Sequence, residues 1–132
     1  MAETKKYSVF IVDDDKFLLE MYALKFNERG FDVASALSPT DAYNKIKDGA
    51  SPDILLLDIV MPVMDGFALL QKLTTDKVLK DGTTIIYLSN LGQKEDIEKG
   101  LKLGADGYII KASSTPSEVV EKVMAIVKEK TK

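Results

Sequence analysis

Short runs of mostly apolar residues alternate along this chain with longer stretches in which apolar residues recur at helical spacing. Runs that stay apolar without a two-residue alternation are typical of strands buried on both faces. Each run is followed by a stretch with a helical pattern, so the sequence predicts five strand–helix pairs. The predicted strands cover residues 7–12, 31–36, 53–57, 84–88 and 108–110.

The first predicted helix, residues 17–28, has an apolar stripe of Phe17, Met21 and Leu24, with Leu18 and Tyr22 beside it. We expect this stripe to face the sheet and Gly30 to end the helix. The other helices are located by start and stop signals. These are Ser38-Pro39 and Gly49 for the second, Asp65-Gly66 for the third, residues 94–103 with Gly104 for the fourth, and the capping box of Thr115 and Glu118, followed by Val119, Val123 and Ile126, for the fifth.

This alternation predicts an α/β fold, a doubly wound parallel sheet with helices on both faces, because right-handed crossovers leave few other arrangements. Nothing in the chain resembles a linker or an internal repeat, so we expect residues 1–132 to form a single domain. Ligands of such sheets bind beyond the carboxyl ends of the strands. The residues at those ends are therefore the candidates for function.

Polar residues stand at four of the predicted strand ends. They are Asp13-Asp14-Asp15, Asp58, Ser89 and Lys111. Neighbouring carboxylates repel one another unless a cation lies between them, and oxygen-only ligands favour Mg²⁺. Asp58 is then a candidate nucleophile toward phosphorus, with Lys111 as counter-charge and Ser89 as hydroxyl donor. Singly, each of these residues also fits a turn, a helix cap or a solvated side chain, which is our expectation for Asp15, Lys16 and Asp65.

The amino-acid composition excludes several kinds of functional site and binding partner. The chain contains neither Cys nor His, which excludes thiolate nucleophiles, imidazole bases and ordinary zinc sites. Its net charge is −3 and Arg29 is its one arginine, so we expect no direct binding to nucleic acid. No apolar run approaches the length of a membrane span, and residues 1–6 are too polar for a signal peptide. We therefore expect a cytoplasmic protein without membrane insertion.

The same residues resemble a known family. The series Val12-Asp13-Asp14, Leu57-Asp58, Met61-Pro62-Val63-Met64-Asp65-Gly66, Leu88-Ser89 and Gly107-Tyr108-Ile109-Ile110-Lys111 is similar to the receiver domain of bacterial two-component response regulators. The resemblance spans nearly the whole chain. It implies a flavodoxin-like fold with strand order 2-1-3-4-5 and a switch controlled by phosphorylation.

The resemblance also implies a role for each matching residue. Asp58 would be the phosphoacceptor, with Ser89 and Lys111 contacting the phosphoryl group and the pair Ser89 and Tyr108 acting as the switch. Mg²⁺ would be held by Asp13, Asp14, Asp58 and the Val60 carbonyl. The N–H groups of Ile59 and Asn90 would bind phosphoryl oxygens, and Val60 and Leu91 would tune hydrolysis.

The implied phosphoryl donor is a sensor histidine kinase or a histidine phosphotransfer protein. The implied output is contact with a downstream protein, or homodimerisation, through the face of the fourth helix, fifth strand and fifth helix. The chain would be no enzyme in the ordinary sense, although it would catalyse its own phosphorylation and a slow self-dephosphorylation. Because it ends with the fifth helix, we expect either a stand-alone receiver or one cut from a longer protein.

Two positions depart from the family pattern. Asn90 replaces a small residue and would slow transfer by crowding Asp58, and Ala112 replaces a proline, which favours a trans and displaced loop after Lys111. A scaffold-like receiver that is not phosphorylated therefore stays an alternative. An aspartate-nucleophile phosphatase is another, although Phe17 stands where its motif has Thr or Val. A flavodoxin-like flavin binder is disfavoured, because acids would repel a flavin phosphate.

Overall fold

The structure, a computed structural model, describes residues 6–131. Five parallel strands form one sheet in the order β2-β1-β3-β4-β5, as the resemblance implies. The strands start and end within one residue of the predicted positions. They are β1 (Ser8–Val12), β2 (Asp32–Ala36), β3 (Ile54–Leu57), β4 (Thr84–Ser89) and β5 (Gly107–Ile110).

Helices cover both faces of the sheet. On one face α1 and α5 pack against a core that includes Val9, Leu56 and Leu88. On the other face α2 and α3 pack against a core that includes Phe10, Leu57 and Tyr87, and α4 lies beside them. The helices are α1 (Lys16–Glu28), α2 (Pro39–Lys47), α3 (Gly66–Thr75), α4 (Lys94–Lys102) and α5 (Pro116–Lys130).

Burial explains the apolar runs. Every residue of β3 and β4 is buried, because these central strands have a strand on each side and a helix layer on each face. The edge strand β2 instead alternates exposed and partly buried residues up to Ala36. The rigid centre of the sheet therefore ends, at its carboxyl edge, at Asp58 and Ser89.

Four of the expected helix caps are confirmed. The carboxylates of Asp15 and Asp65 accept hydrogen bonds from the Leu18 and Ala68 N–H groups, at 3.1 and 2.8 Å. Ser38 caps α2 in the same way, and Thr115 and Glu118 form the predicted reciprocal capping box. Each cap satisfies an N–H group that the first turn of a helix leaves without a partner.

The predicted buried stripe of α1 is wrong. Phe17 and Leu24 are 70% and 50% exposed, whereas Leu19, Tyr22 and Phe26 are buried. Both stripes have helical spacing, so periodicity alone cannot choose between them. Packing decides: the buried stripe meets α5 and the sheet, and the Phe26 ring meets the Phe31 ring edge-on at 5.0 Å.

The chain after β5 forms a short 3₁₀ turn, Lys111–Ser113, that the sequence did not predict. The Lys111–Ala112 peptide bond is trans. Within residues 6–131, no helix combines the length and apolar character that a membrane crossing requires. The expectation about a signal peptide in residues 1–6 falls mainly outside the described residues.

Candidate functional site

The carboxyl edge of the sheet brings the predicted residues together. Asp13 follows β1, Asp58 follows β3, Ser89 ends β4 and Lys111 follows β5. Parallel strands with right-handed crossovers all end at the same edge, so residues that are far apart in the sequence meet there. Asp13, Asp58 and Ser89 are buried, which is unusual for polar side chains.

Lys111 connects the two buried carboxylates. Its ammonium nitrogen lies 2.7 Å from Asp13 Oδ2 and 3.1 Å from Asp58 Oδ2, and its side chain is 10% exposed. Two strands, β3 and β4, separate β1 from β5, so the lysine side chain reaches across the edge of the sheet. The ammonium group therefore offsets part of the charge of both acids.

The other carboxylate oxygens are held by the backbone. Asp13 Oδ1 accepts a hydrogen bond from the Asp15 N–H at 2.9 Å, and Asp58 Oδ1 accepts one from the Ile59 N–H at 2.8 Å. Asp13 Oδ2 is buried and makes no aligned hydrogen bond, despite its short distance from Lys111. It is thus an oxygen with a lone pair available for a further ligand.

Three carboxylates can hold a cation. Oxygens of Asp13, Asp14 and Asp58 lie within 4.8 Å of one another, with Asp14 exposed at the mouth. All donors are oxygen, Asp13 Oδ2 is buried without an aligned hydrogen bond, and the exposed Asp14 leaves the site partly open to water. These properties fit Mg²⁺, which prefers oxygen ligands and retains several waters.

Burial and charge shift the pKa values of the site. Burial raises the pKa of Asp58, the Lys111 ammonium opposes that rise, and the Asp13 carboxylate adds to it. For Lys111, burial alone would lower the pKa, but its contacts with Asp13 and Asp58 raise it above its ordinary value. The lysine is therefore firmly charged, and the acids favour the presence of a cation.

Gly66 holds the loop that follows Asp58. Its N–H donates to the Ile59 carbonyl at 2.8 Å, and a Cβ at this position would lie 2.0 Å from the Asp58 carbonyl oxygen. Only glycine permits such a close approach of backbone to backbone. The start of α3 is thereby fixed against the backbone of the candidate phosphoacceptor.

Ser89 and Tyr108 meet at Leu91. The Ser89 hydroxyl oxygen accepts a hydrogen bond from the Leu91 N–H at 3.2 Å, and the Tyr108 hydroxyl donates to the Leu91 carbonyl. Burial raises the pKa of Tyr108 to about 12, and the Asp96 carboxylate adds to that rise. Both predicted switch residues therefore bind the backbone of one residue in the β4–α4 loop.

The remaining predicted residues lie around this edge. The side chains of Asn90 and Val60 are exposed, Leu91 is half-buried, and the N–H of Ile59 already contacts Asp58. Among all the predicted site residues, those that the structure brings into one cluster are Asp13, Asp14, Asp58 and Lys111.

Two residues near the site were missed by the sequence reasoning. Burial raises the pKa of Tyr22, while the Lys111 ammonium opposes that rise, so Tyr22 is close enough to respond to the charges of the site. Tyr87 lies beneath Ser89 in β4, and its hydroxyl donates to the Gly66 carbonyl at 3.4 Å. For Tyr87, a tyrosine within the otherwise apolar run of β4 was the available signal.

A family model for the response regulator receiver domain matches residues 9–124. The chain belongs to this receiver domain family. Receiver domains act in two-component phosphorylation signalling, are signalling proteins rather than conventional enzymes, and bind Mg²⁺ at an acidic pocket. In this receiver, Asp13, Asp14 and Asp58 form an acidic cluster at the carboxyl edge of the sheet.

Related proteins differ in length. The chemotaxis protein CheY of Treponema pallidum is 35% identical over 126 residues, which cover 92% of this receiver and 83% of that protein. The DNA-binding response regulator MtrA of Mycobacterium tuberculosis H37Rv is 33% identical over 123 residues, which cover 93% of this receiver and 51% of MtrA. The chain thus spans about half the length of the first curated relatives it matches.

Solved receiver structures share the fold. The structure of a CheX–CheY–BeF3–Mg²⁺ complex from Borrelia burgdorferi contains a chain that matches with a TM-score of 0.79 and 31% sequence identity. The match covers 91% of this receiver and 88% of that chain.

Proposed function

We propose that this receiver accepts a phosphoryl group on Asp58 from a phosphohistidine of a sensor histidine kinase or a histidine phosphotransfer protein. The observation that carries the proposal is the Lys111 ammonium group, 2.7 Å from Asp13 and 3.1 Å from Asp58 in a buried acidic pocket. A lysine held there by two carboxylates can turn to a phosphoryl oxygen when the charge distribution changes.

In the transfer, an Asp58 carboxylate oxygen forms a bond to phosphorus while the bond from phosphorus to the histidine nitrogen breaks. The electron pair of that bond leaves with the imidazole. Lys111 then pairs with a phosphoryl oxygen, and the Ile59 and Asn90 N–H groups donate to others, which stabilises the developing charge. Asp13, Asp14, Asp58 and the Val60 carbonyl would hold Mg²⁺, which supplies positive charge against the phosphoryl oxygens.

The output would follow from the hydrogen bonds at Leu91. If the Ser89 hydroxyl turns toward the phosphoryl group, it releases the Leu91 N–H, and the loop that binds the Tyr108 hydroxyl is freed. One local charge can bias a two-state packing arrangement in this way. The altered face would comprise α4, β5 and α5 and would bind a downstream protein or a second copy of the chain.

Within this proposal the receiver catalyses its own phosphorylation from a small or protein donor, and its own slow dephosphorylation. That residues 1–132 form one receiver domain remains part of the proposal, since the matched family region spans residues 9–124. The Borrelia burgdorferi complex of CheX and CheY contains BeF3 and Mg²⁺ together with a relative of this receiver, which supports the proposal.

The test is incubation with acetyl phosphate and Mg²⁺, followed by intact mass measurement. We expect the mass of one added phosphoryl group, lost in Asp58→Asn and retained in the control Asp81→Asn, whose carboxylate is exposed before β4. An unmodified wild-type protein would favour the scaffold-like alternative. Phosphate mapped to Asp13 or Asp14 would favour an aspartate-nucleophile phosphatase.

A further inference from the structure

Helix α4 is attached to the rest of the molecule through few buried groups. Among its residues, Lys94–Lys102, Gly100 is the one that is buried, while Asp96 and Ile97 are half-buried. A second contact comes from Lys99, whose ammonium nitrogen lies 4.7 Å from the centre of the Phe67 ring. Elements with few buried contacts open at low free energy, so α4 is the helix best suited to move.

The surface beneath α4 is aromatic. Gly100 lies against the ring of Tyr87, so closely that a Cβ at this position would be 2.9 and 3.0 Å from two ring carbons. Tyr87 is fully buried, and its ring packs against Phe67 at 5.3 Å and Tyr108 at 6.0 Å. The backbone of α4 therefore rests directly on a rigid aromatic layer from α3, β4 and β5.

We propose that the contact of Gly100 with the Tyr87 ring is the pivot on which α4 moves when the receiver is phosphorylated. The part that concerns phosphorylation rests on the function proposed above. A glycine gives the helix a smooth contact with no side chain to interlock, while the flat ring supplies a surface over which the backbone can tilt. Overpacking at this point would push α4 away from the sheet.

Tyr87 also connects this pivot with the acidic pocket. Its hydroxyl donates to the carbonyl of Gly66, whose Cα lies directly against the Asp58 backbone. In the sheet it is the register partner of Tyr108, and it lies two residues before Ser89 in the same strand. Both the loop of the phosphoacceptor and the Ser89–Tyr108 pair therefore act on the ring that supports α4.

Substitution of Gly100 by alanine tests the pivot, because a tight pivot and an unobstructed helix predict opposite changes in the rate of backbone hydrogen exchange in α4. In an unobstructed helix, Gly→Ala slows backbone exchange by about 5-fold, because alanine has the higher helix propensity. At a tight pivot the added methyl group meets the ring and loosens the helix instead. We therefore expect hydrogen exchange of residues 94–102 to become faster in Gly100→Ala, measured without metal or phosphoryl donor.

Tyr87 variants identify the ring as the cause. In a Tyr87→Leu background the methyl group has room, so Gly100→Ala should slow exchange by about 5-fold. In the matched Tyr87→Phe background, which loses only the hydroxyl, it should still accelerate exchange. Slowing of similar size in all three backgrounds would overturn the pivot. If Tyr87→Leu does not fold, slower exchange in Gly100→Ala alone would overturn it, and faster exchange together with the Tyr87→Phe result would support it.

Beryllofluoride with Mg²⁺ tests the coupling to the site. We expect it to change exchange in both α4 and the β3–α3 loop of the wild type, and mainly in the loop of Tyr87→Leu. An undiminished α4 response in that variant would refute the coupling through Tyr87. If the β3–α3 loop of the wild type does not respond either, the proposed function fails. The hydrogen exchange of the Gly100→Ala variants, measured without metal, still tests the pivot.

Discussion

Replacing Lys111 by methionine tests the electrostatic design of the pocket. Methionine keeps an unbranched side chain that can fill the space of the lysine stem, but it removes the ammonium group from between Asp13 and Asp58. In metal-free protein the two buried carboxylates then face each other without compensation. We expect a large loss of stability, because removing one partner of a buried ion pair leaves the other charge unpaired.

The structure gives the size of this effect. Oxygens of the two acids lie within 4.8 Å of each other. Two unit charges at that distance repel by about 3.5 kcal/mol at an effective dielectric constant of ~20, and this repulsion, which the ammonium group offsets in the wild type, is uncompensated in the variant. This agrees with the cost of about 3–5 kcal/mol for breaking buried pairs. We therefore expect Lys111→Met to lower the free energy of unfolding by about 3 kcal/mol at neutral pH.

The pH dependence has a definite sign. The pKa of Lys111 is raised in the folded protein, so its stabilising contribution is present below its ordinary pKa of ~10.4 and is lost as the pH rises through the raised value. The pKa of Asp58 is also raised, so lowering the pH protonates this acid early and relieves the repulsion in the variant. The stability difference between wild type and variant should thus be largest near neutral pH and shrink toward both extremes.

The assay is urea unfolding followed by far-UV circular dichroism, in the presence of a metal chelator. Adding Asp13→Asn to Lys111→Met should restore most of the lost stability, because only one buried charge then remains. The exposed Lys102→Met serves as control and should change stability little. A loss below about 1 kcal/mol that Asp13→Asn does not reverse would refute this account of the pocket.

Three further predictions concern metal, switch and lifetime. Asp14→Ala should weaken Mg²⁺ binding about 10-fold or more in calorimetry, since even outer-shell changes cost that much; unchanged affinity would exclude Asp14 as a ligand. Beryllofluoride should shift the side-chain NMR signals of Tyr108, and Ser89→Ala should abolish the shift; signals that stay fixed would remove Tyr108 from the switch. The acyl phosphate should be long-lived, because Val60 and Leu91 cannot orient water by hydrogen bonding. Val60→Asn and Leu91→Glu, singly and together, should accelerate decay several-fold, and unchanged decay in the double variant would contradict this.

The sheet and its functional edge were predictable because they depend on local signals. Buried parallel strands consist of apolar runs, and each run here ends at a polar residue such as Asp58 or Lys111. Caps such as Asp65 are local as well, since a side chain bonds an N–H three residues away. Roles within the pocket needed the family resemblance, because spacing alone does not distinguish an acid that binds metal from one that caps a helix.

Features that depend on packing between distant elements were not predictable. The sequence of α1 offers two apolar stripes, and only the position of α5 selects the one that contains Tyr22. The shorter distance of Lys111 to Asp13 than to Asp58 depends on how the chain turns after β5. The contact of Gly100 with Tyr87 joins a helix to a strand that precedes it, and no local pattern marks it.

The contrast between the centre of the sheet and α4 explains how a change at one residue could reach a surface. Asp58 follows β3 and Ser89 ends β4, and every residue of both strands is buried, so a phosphoryl group there cannot be accommodated by moving the sheet. The adjacent elements that can respond are the loops and α4, whose one buried residue is Gly100. A ligand shifts an equilibrium only by its differential affinity for the two states. A weakly attached helix lowers the affinity difference that is needed, which favours α4 as the element that a single phosphoryl group repositions.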